Sequence, residues 1–380
     1  MKSKDDRQSI ERSFGRVVLS CLGIALASLA VACADGSNNN PTGGDGGSGD
    51  GGSGAAGGSG GAGGNGGTGG DGGSALEIVY PVVPEEVAKF NPANGELPEG
   101  IAIDGTTAYV SYSVNPKVVK VDLETGAVSD YGTIPGPIGV VFPQGVGIDA
   151  NKRVYVAVKS DDPGQAMPGI YRFPPGGGTA ELWSSDPSMS YPRHIAFHSS
   201  GSAFVSVPTA ARLYIVGPDG STSDPGVGQV YSGDQMSACA YGEGIPYGIT
   251  SVFFSGNSFY ATNGDRAIIF EGTFDGQQGS ILPDNVAGPD CGLLGGAESV
   301  VEDPATVSLT VASRRLDKIM RIGFIGGNQV LAETALYEPS AIAIGVTSKG
   351  RYLYITNSAH TTYNKGGIPG LVRIPLGKTE

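Results

Sequence analysis

The residues best equipped for chemistry stand at one recurring position in the chain. A heptapeptide first seen as "PEGIAID" at Pro98 recurs with variations, and its later copies begin at Pro143, Pro192, Pro246, Ala297 and Pro339. The second residue of every copy carries a charge or can form hydrogen bonds, and these residues are Glu99, Gln144, Arg193, Tyr247, Glu298 and Ser340. Carboxylates held close together can bind a divalent metal, whereas an arginine between them forms an ion-pair network. The sequence leaves both outcomes open.

The elements that must position these residues are short strands. The copies are spaced 42 to 54 residues apart, and each is followed by two further strand-like runs, such as "TAYVSYS" and "KVVKVDL" after the first copy. Such runs of Val, Ile, Tyr and Phe, separated by Gly, Pro, Asp and Asn, predict antiparallel strands. A weaker fourth run follows in five copies, and four strands in about 40 to 50 residues make one propeller blade. The sequence therefore predicts an all-β fold, a six-bladed β-propeller over residues 76–380.

The two ends of the propeller are predicted to meet in one blade. The sixth copy ends with its third run, "GLVRIPL", and has no fourth run before Glu380. The run "LEIVYPV", Leu76–Val82, precedes the first blade and belongs to no copy. We expect this N-terminal strand to close the last blade, because closure removes an exposed sheet edge.

In a propeller the first strand of each blade lines the central channel, so the six recurring residues should form a ring at one mouth of it. Loops between the second and third strands open on the same face, and they add the candidate binding residues Asn263, Asn357 and His360. No nucleophile or orienting carboxylate can be assigned to His360 from the sequence. We predict a binding module whose polar mouth captures a small molecule, a glycan or a protein; a structural surface protein is a further reading.

The triplets "PEG", "PQG" and "PYG", together with the repeated strands, resemble six-bladed propellers of the senescence-marker-protein/gluconolactonase/LRE-like and NHL-repeat superfamily. In the lactonases a divalent metal is held by glutamate, asparagine and aspartate of the first, fourth and fifth blades, and an asparagine of the third blade contacts the substrate. The resemblance implies Glu99 and Glu298 as ligands of Ca, Zn or Mn, and an alternative function as a metal-dependent lactonase or hydrolase. Tyr247 and Arg193 depart from that pattern, so a Glu99–Arg193–Glu298 salt-bridge network is the competing expectation.

The N-terminal residues predict export to the cell envelope. A basic, polar start is followed by the apolar run "VVLSCLGIALASLAVA", Val17–Ala32, which is typical of a secretory signal. Leu29 to Ala32 before Cys33 resemble the lipobox of bacterial lipoproteins, which implies removal of residues 1–32 and lipidation of Cys33. An uncleaved anchor and free secretion are the alternatives. Ala34 in place of aspartate resembles the sorting signal for the outer membrane, on its periplasmic or surface face.

Residues 33–75 are predicted to join the lipid to the propeller as a disordered tether. Of residues 34–74, 21 are glycine, and none is aromatic or a large aliphatic, so the segment cannot form a core. As a flexible coil it spans about 35 Å.

Cysteine usage predicts a disulfide, and the net charge argues against one class of partner. Cys239 and Cys291 are an even pair in an oxidising compartment, which favours a disulfide over two separate buried thiols. The formal net charge is −13 and there is no basic stretch, which argues against a nucleic acid as partner.

Overall fold

The strands of the chain pair into separate small sheets that repeat around an axis. The structure is a computed structural model that describes residues 78–223, 231–240, 246–324 and 327–377. These residues belong to one unit, Ala75–Glu380. The predicted signal, the lipidation at Cys33 and the tether lie outside the described residues. In the described part of the chain no helix is long and apolar enough to cross a membrane.

The first three blades follow the order of the chain. Blade 1 consists of β2 (Pro98–Asp104), β3 (Thr107–Tyr112), β4 (Lys117–Asp122) and β5 (Val128–Thr133), with the two-residue β9 (Gly178–Thr179) parallel to β5. Blade 2 consists of β6 (Val141–Ile148), β7 (Val154–Ser160), β8 (Gly169–Arg172) and β10 (Glu181–Ser184). Blade 3 consists of β11 (His194–Phe197), β12 (Ala203–Val207), β13 (Arg212–Val216) and β14 (Thr222–Ser223).

The last three blades complete the ring. Blade 4 consists of β15 (Ile249–Ser255), β16 (Ser258–Asn263), β17 (Ile268–Phe274) and β18 (Gly279–Ala287). Blade 5 consists of β19 (Ala297–Asp303), β20 (Ser308–Ser313), β21 (Lys318–Gly323) and β22 (Asn328–Ala332). Blade 6 consists of β23 (Pro339–Thr347), β24 (Gly350–Asn357), β25 (Gly370–Pro375) and β1 (Glu85–Lys89). The connections carry the helix α1 (Cys291–Leu294) and 3-10 turns at Pro92–Asn94, Pro208–Ala210 and Tyr363–Lys365.

The six sheets confirm the predicted six-bladed propeller. The inner strands contact one another in the order β2, β6, β11, β15, β19 and β23, and β23 contacts β2 again. Buried apolar side chains form six clusters, and each cluster lies between two neighbouring blades. The core is therefore divided into six layers around the axis, and burial of these layers supplies the main driving force for closure.

An N-terminal strand closes the last blade, but the predicted segment was wrong. The strand that pairs with β25 is β1, with Glu85 opposite Arg373 and Lys89 opposite Gly370. Within Leu76–Val82, the described residues pack between blades 5 and 6: the Val82 N–H donates to the Leu331 carbonyl at 2.9 Å. An outermost strand can leave one face in solvent, so the polar run "EEVAK" suits this edge and apolar content did not identify it.

In blades 1 and 2 the glycine of the P-x-G triplet is required by the approach of the neighbouring blade. A Cβ on Gly100 would lie 2.5 Å from the Gln144 carbonyl oxygen, and one on Gly145 would lie 2.8 Å from the Arg193 carbonyl oxygen. Both obstacles are backbone atoms, which cannot rotate away. The triplet thus brings the backbones of adjacent inner strands into contact.

Hydroxyl groups of the second strands join these inner strands. Ser111 Oγ accepts from the Gly100 N–H at 2.9 Å and donates to the Gln144 carbonyl of the next blade at 2.5 Å. Ser206 Oγ repeats the arrangement in blade 3, accepting from the His194 N–H and donating to the Thr250 carbonyl. Each hydroxyl satisfies polar backbone groups that ring closure has buried.

We expect Gly100→Ala to lower the free energy of unfolding by about 1–3 kcal/mol, because the added methyl group meets the backbone of blade 2. Urea denaturation of the purified protein measures the change. Gly292→Ala is the matched control, since its Cβ would meet only the Asp290 side chain, at 3.4 Å. Equal stability of Gly100→Ala and the parent would contradict the explanation given for the triplet.

Candidate functional site

The six recurring residues form the predicted ring at one end of the channel, called the mouth ring below, and Arg193 occupies its centre. The Arg193 side chain begins beside β11 of blade 3 and reaches across the axis to blades 1 and 5. Its Nη2 lies 2.6 Å from Glu99 Oε1, and its Nε lies 2.6 Å from Glu298 Oε1. Its Nη1 donates to Gln144 Oε1 at 2.5 Å and to the Tyr191 hydroxyl at 3.0 Å. The Arg193 guanidinium therefore contacts four other side chains.

A second arginine and a histidine bind the same carboxylate. Arg314, which follows β20, places Nη1 2.9 Å from Glu99 Oε1. His360 Nε2 lies 3.2 Å from Glu99 Oε2 and 2.6 Å from Ser113 Oγ. The structure thus supplies the carboxylate that the sequence could not assign to His360. Both contacts use the same ring nitrogen and Ser113 is buried, so the three residues do not form a nucleophilic triad.

Ion pairing keeps Glu99 and Arg193 charged despite their burial. Burial by itself raises the pKa of Glu99, but Arg314 and Arg193 outweigh burial and hold that pKa well below its usual value. Burial lowers the pKa of Arg193, while Glu298 and other neighbouring groups raise it well above normal. Glu99, Arg193 and Glu298 are each at most 7% exposed, so these charges persist in a desolvated site only because they are paired.

Aromatic side chains from blades 2, 3 and 4 flank the ring, and we call Phe142, Tyr191 and Tyr247 the aromatic wall. Lys159 Nζ lies 4.7 Å from the centroid of the Phe142 ring and 5.5 Å from that of Tyr191. Tyr191 and burial both raise the pKa of Tyr247, which is consistent with two neighbouring phenols. All three aromatic residues are half-buried, so part of each remains accessible at the mouth.

Three other predicted residues use their polar groups within the fold. Ser340 Oγ donates to the Pro98 carbonyl at 3.3 Å and contacts Thr356 Oγ1, which joins blade 6 to blade 1. Asn263 donates to the Ser232 carbonyl, and Asn357 donates to the Ala335 carbonyl. These contacts brace connections around the mouth.

Sequence reasoning did not assign several residues that complete the site. Phe142 and Tyr191 each stand immediately before the proline of a repeat, and Glu338 holds the same position in blade 6. Glu338 Oε2 lies 3.8 Å from Arg314 Nη2. The position before the proline recurs in the repeat and adjoins the ring, so it could have identified Phe142, Tyr191 and Glu338 from the sequence. For Ser113, at the end of blade 1's second strand, the repeat offered no comparable signal.

The residues of the mouth do not fit the divalent metal that the lactonase resemblance implies. The guanidinium of Arg193 lies between the two candidate carboxylate ligands, and Arg314 adds a second positive charge. Asn263 Oδ1 accepts from the Arg266 N–H at 3.1 Å. In the described ranges no group of three or more His, Cys, Asp or Glu side chains is arranged to hold a metal. The observed arrangement is the salt-bridge network Glu99–Arg193–Glu298.

A disulfide joins two connections on the same face. Cys239, in the connection between blades 3 and 4, is bonded to Cys291 of α1, as one of the two alternatives from the sequence predicts. The Ala238 carbonyl accepts from Arg315 Nη1 at 3.1 Å and the Ser232 carbonyl accepts from Arg266 Nε at 3.1 Å. This side of the mouth is thereby held to blades 4 and 5.

A histidine lies below the ring, where other blades carry a small residue. His194 lines a small cavity with Glu99, Arg193, Glu298 and neighbouring inner-strand residues. Burial lowers the pKa of His194 to about 4, and Arg193 acts in the same direction. Its Nδ1 has no hydrogen-bond partner among the described residues. The imidazole is therefore neutral at physiological pH.

We expect two acid-sensitive steps in stability. Between about pH 6.5 and 4 the unfolded chain binds a proton at the His194 imidazole, whereas the folded chain excludes this proton. The free energy of unfolding therefore decreases as the pH is lowered through this range, by at most about 3 kcal/mol. His194→Gln should remove this slope, measured by urea denaturation across that range.

Glu99 has a lowered pKa in the fold, so its contribution to stability is present above about pH 4.5 and is lost only below it. Glu99→Gln should remove only the loss of stability below about pH 4.5. If His194→Gln kept the slope between about pH 6.5 and 4, the assignment of that slope to His194 would be wrong.

Comparison with known proteins supports the architecture. The sequence matches no protein-family model, and no curated protein shows significant similarity to it. The structure is similar to regucalcin, a calcium-binding protein from Agrobacterium tumefaciens, with a TM-score of 0.54, 15% identity, and coverage of 80% of this chain and 100% of that one. The shared feature is the six-bladed propeller. At this identity the likeness concerns the fold alone.

Two further structures are similar over most of the propeller. The PQQ-bound aldose sugar dehydrogenase of Streptomyces coelicolor has a TM-score of 0.53 and 17% identity, and covers 79% of this chain and 96% of that one. An auxiliary nutrient binding protein of Bacteroides thetaiotaomicron has a TM-score of 0.52 and 11% identity, and covers 73% of this chain and 69% of that one. Proteins of different activity thus share this fold.

Proposed function

We propose that this chain is a membrane-tethered, extracytoplasmic binding protein that captures a small polar molecule at the mouth ring, and that a carbohydrate is the ligand class that suits the side chains best. The observation that carries the proposal is the position of the aromatic wall beside the ion-paired ring. An aromatic face can pack against the C–H face of a sugar, while fixed polar groups bind its hydroxyls. The Bacteroides nutrient binding protein provides an example of a binding role on this fold.

Charge at the mouth favours an uncharged ligand. Arg193 and Arg314 face Glu99 and Glu298, so each of these arginines has a carboxylate partner at the ring. A phosphate or a nucleic acid would gain little from a site whose cations are already bound to carboxylates. The hydroxyl groups of a sugar can donate to carboxylate oxygens and accept from nitrogen or phenol donors without bringing a net charge into the site.

The alternative of a metal-dependent lactonase receives less support from the same contacts. Such an enzyme needs an ion that polarises the ester carbonyl and activates water. Both of the candidate ligands Glu99 and Glu298 are already paired with Arg193. A binding role requires only the ring and the wall as they stand.

We expect Tyr247→Ala to weaken carbohydrate binding about tenfold, which corresponds to a loss of about 1.4 kcal/mol of stacking and packing. The ligand is found by saturation-transfer NMR against a panel of mono- and disaccharides, and its Kd is measured by calorimetry on the purified protein. Tyr352→Ala is the control, because Tyr352 lies on β24 near the opposite end of the channel. Failure to bind any sugar of the panel, or an equal loss in the control, would contradict the carbohydrate assignment.

The proposed membrane attachment rests on the sequence around Cys33. We expect Cys33→Ala to abolish incorporation of fatty acid into the protein, because the acyl chain would be attached to this thiol. Metabolic labelling with a radioactive fatty acid measures the change. Cys21→Ala is the control, since Cys21 lies within the predicted signal. A parent protein that incorporates no fatty acid, or a Cys33→Ala variant labelled as strongly as the parent, would contradict lipidation at Cys33.

A further inference from the structure

We propose that Arg193 is the fixed cation of this propeller, and that its guanidinium fills a latent oxygen site for a divalent metal between Glu99, Glu298 and Gln144. Two statements follow from the proposal. The protein as it exists binds no divalent cation at the mouth ring, and removal of the guanidinium creates a site that does. Neither statement depends on the proposed carbohydrate binding.

Three buried oxygens converge on this one group. Oε1 of Glu298 and Oε1 of Glu99 each lie 2.6 Å from a guanidinium nitrogen, and Oε1 of Gln144 lies 2.5 Å from another. The three oxygens come from blades 1, 2 and 5, and each of these residues is no more than 4% exposed. Carboxylate and amide oxygens are the ligands that Ca²⁺ prefers.

The inner strands hold this arrangement in place. The Arg193 N–H donates to the Ser206 carbonyl at 2.8 Å, and the Arg193 carbonyl accepts from the Gly145 N–H at 2.9 Å. Gly100 and Gly145 cannot accommodate a Cβ, so the backbones that carry Glu99 and Gln144 are fixed by contact with the next blade. The oxygens should therefore stay close together when the arginine side chain is shortened.

A buried carboxylate pair without a cation between its members is unfavourable. Arg314 lies 2.9 Å from Glu99 Oε1 but 4.0 Å from Glu298 Oε1, so it compensates the first carboxylate better than the second. Arg193→Ser should lower stability for this reason, and its small hydroxyl side chain leaves space for an ion and for water. A bound Ca²⁺ would restore the missing positive charge. Arg314 should weaken the binding without preventing it.

The experiment compares thermal melting of the purified full chain in EDTA and in millimolar CaCl2 or MnCl2. We expect the parent Tm to change by less than about 1 °C, and the Tm of Arg193→Ser to fall in EDTA and to rise by about 3 °C or more when the metal is added. Arg315→Ser is the matched control. Arg315 is an exposed arginine beside Arg314, and the contact given for it goes to the Ala238 carbonyl. That variant should resemble the parent in both conditions.

A second measurement does not depend on a melting transition. Tb³⁺ bound close to a tyrosine emits when the tyrosine is excited, and the Tyr191 hydroxyl lies 3.0 Å from Arg193 Nη1. Arg193→Ser should therefore show additional sensitised emission that Ca²⁺ displaces, whereas the parent and Arg193→Lys should not. Arg193→Lys keeps a positive charge in the ring, so it also serves as the variant that retains the fold.

Each outcome bears on the proposal. A metal-dependent rise in the parent Tm that Glu99→Gln abolishes would overturn the first statement, because metal and guanidinium would then coexist. A folded Arg193→Ser without a metal response would overturn the second. If Arg193→Ser folds only when Ca²⁺ is present, the proposal is supported; if it folds in neither condition, the second statement is wrong. These results do not depend on whether the parent protein binds a sugar. Failure of the proposed carbohydrate binding can therefore be distinguished from failure of the metal-site proposal.

Discussion

The structure depends on the contact between six inner strands around one axis. Closing six twisted sheets into a ring brings the backbones of neighbouring inner strands together, which is why Gly100 and Gly145 have no room for a Cβ. The same closeness lets Ser111 and Ser206 join one blade to the next by hydrogen bonds of their hydroxyl groups. It also places the second residue of every repeat within reach of the others. The mouth ring is thus a direct result of closure.

Charges brought together in this way must be balanced, because they are desolvated at the same time. The glutamates of blades 1 and 5 would repel each other at the mouth, and a cation between them removes that repulsion. A metal ion and a guanidinium are alternative solutions with different chemical results. A metal leaves coordination positions for substrate and water, whereas the nitrogens of Arg193 are directed to Glu99, Glu298, Gln144 and Tyr191. The guanidinium therefore leaves the two glutamates paired and joins three other blades to blade 3.

The sequence predicted the fold more fully than the site. The repeat carries the information on blade number and on the ring, because the same series of strands returns in every blade. The closing strand was misassigned, since Glu85–Lys89 has few apolar residues and its position at an edge requires few. Ser113 follows a strand of blade 1 and meets His360 of blade 6, and a one-dimensional pattern does not reveal which side chains of different blades will meet. The aromatic wall was present in the repeat, one residue before the proline in two blades, but its meaning depended on the ring beside it.

The entry of the chain into the propeller has a mechanical consequence. Tyr80 donates to the carbonyl of Pro375, at the end of β25 away from the mouth, and β1 then runs toward the mouth along β25. A force applied upstream of Ile78 while a ligand is held at the mouth would act nearly parallel to these strands. Such a load shears the hydrogen bonds between β1 and β25 together instead of opening them one after another. The strand that closes the ring is therefore oriented to resist extraction by a force that pulls on the N-terminal side of the propeller.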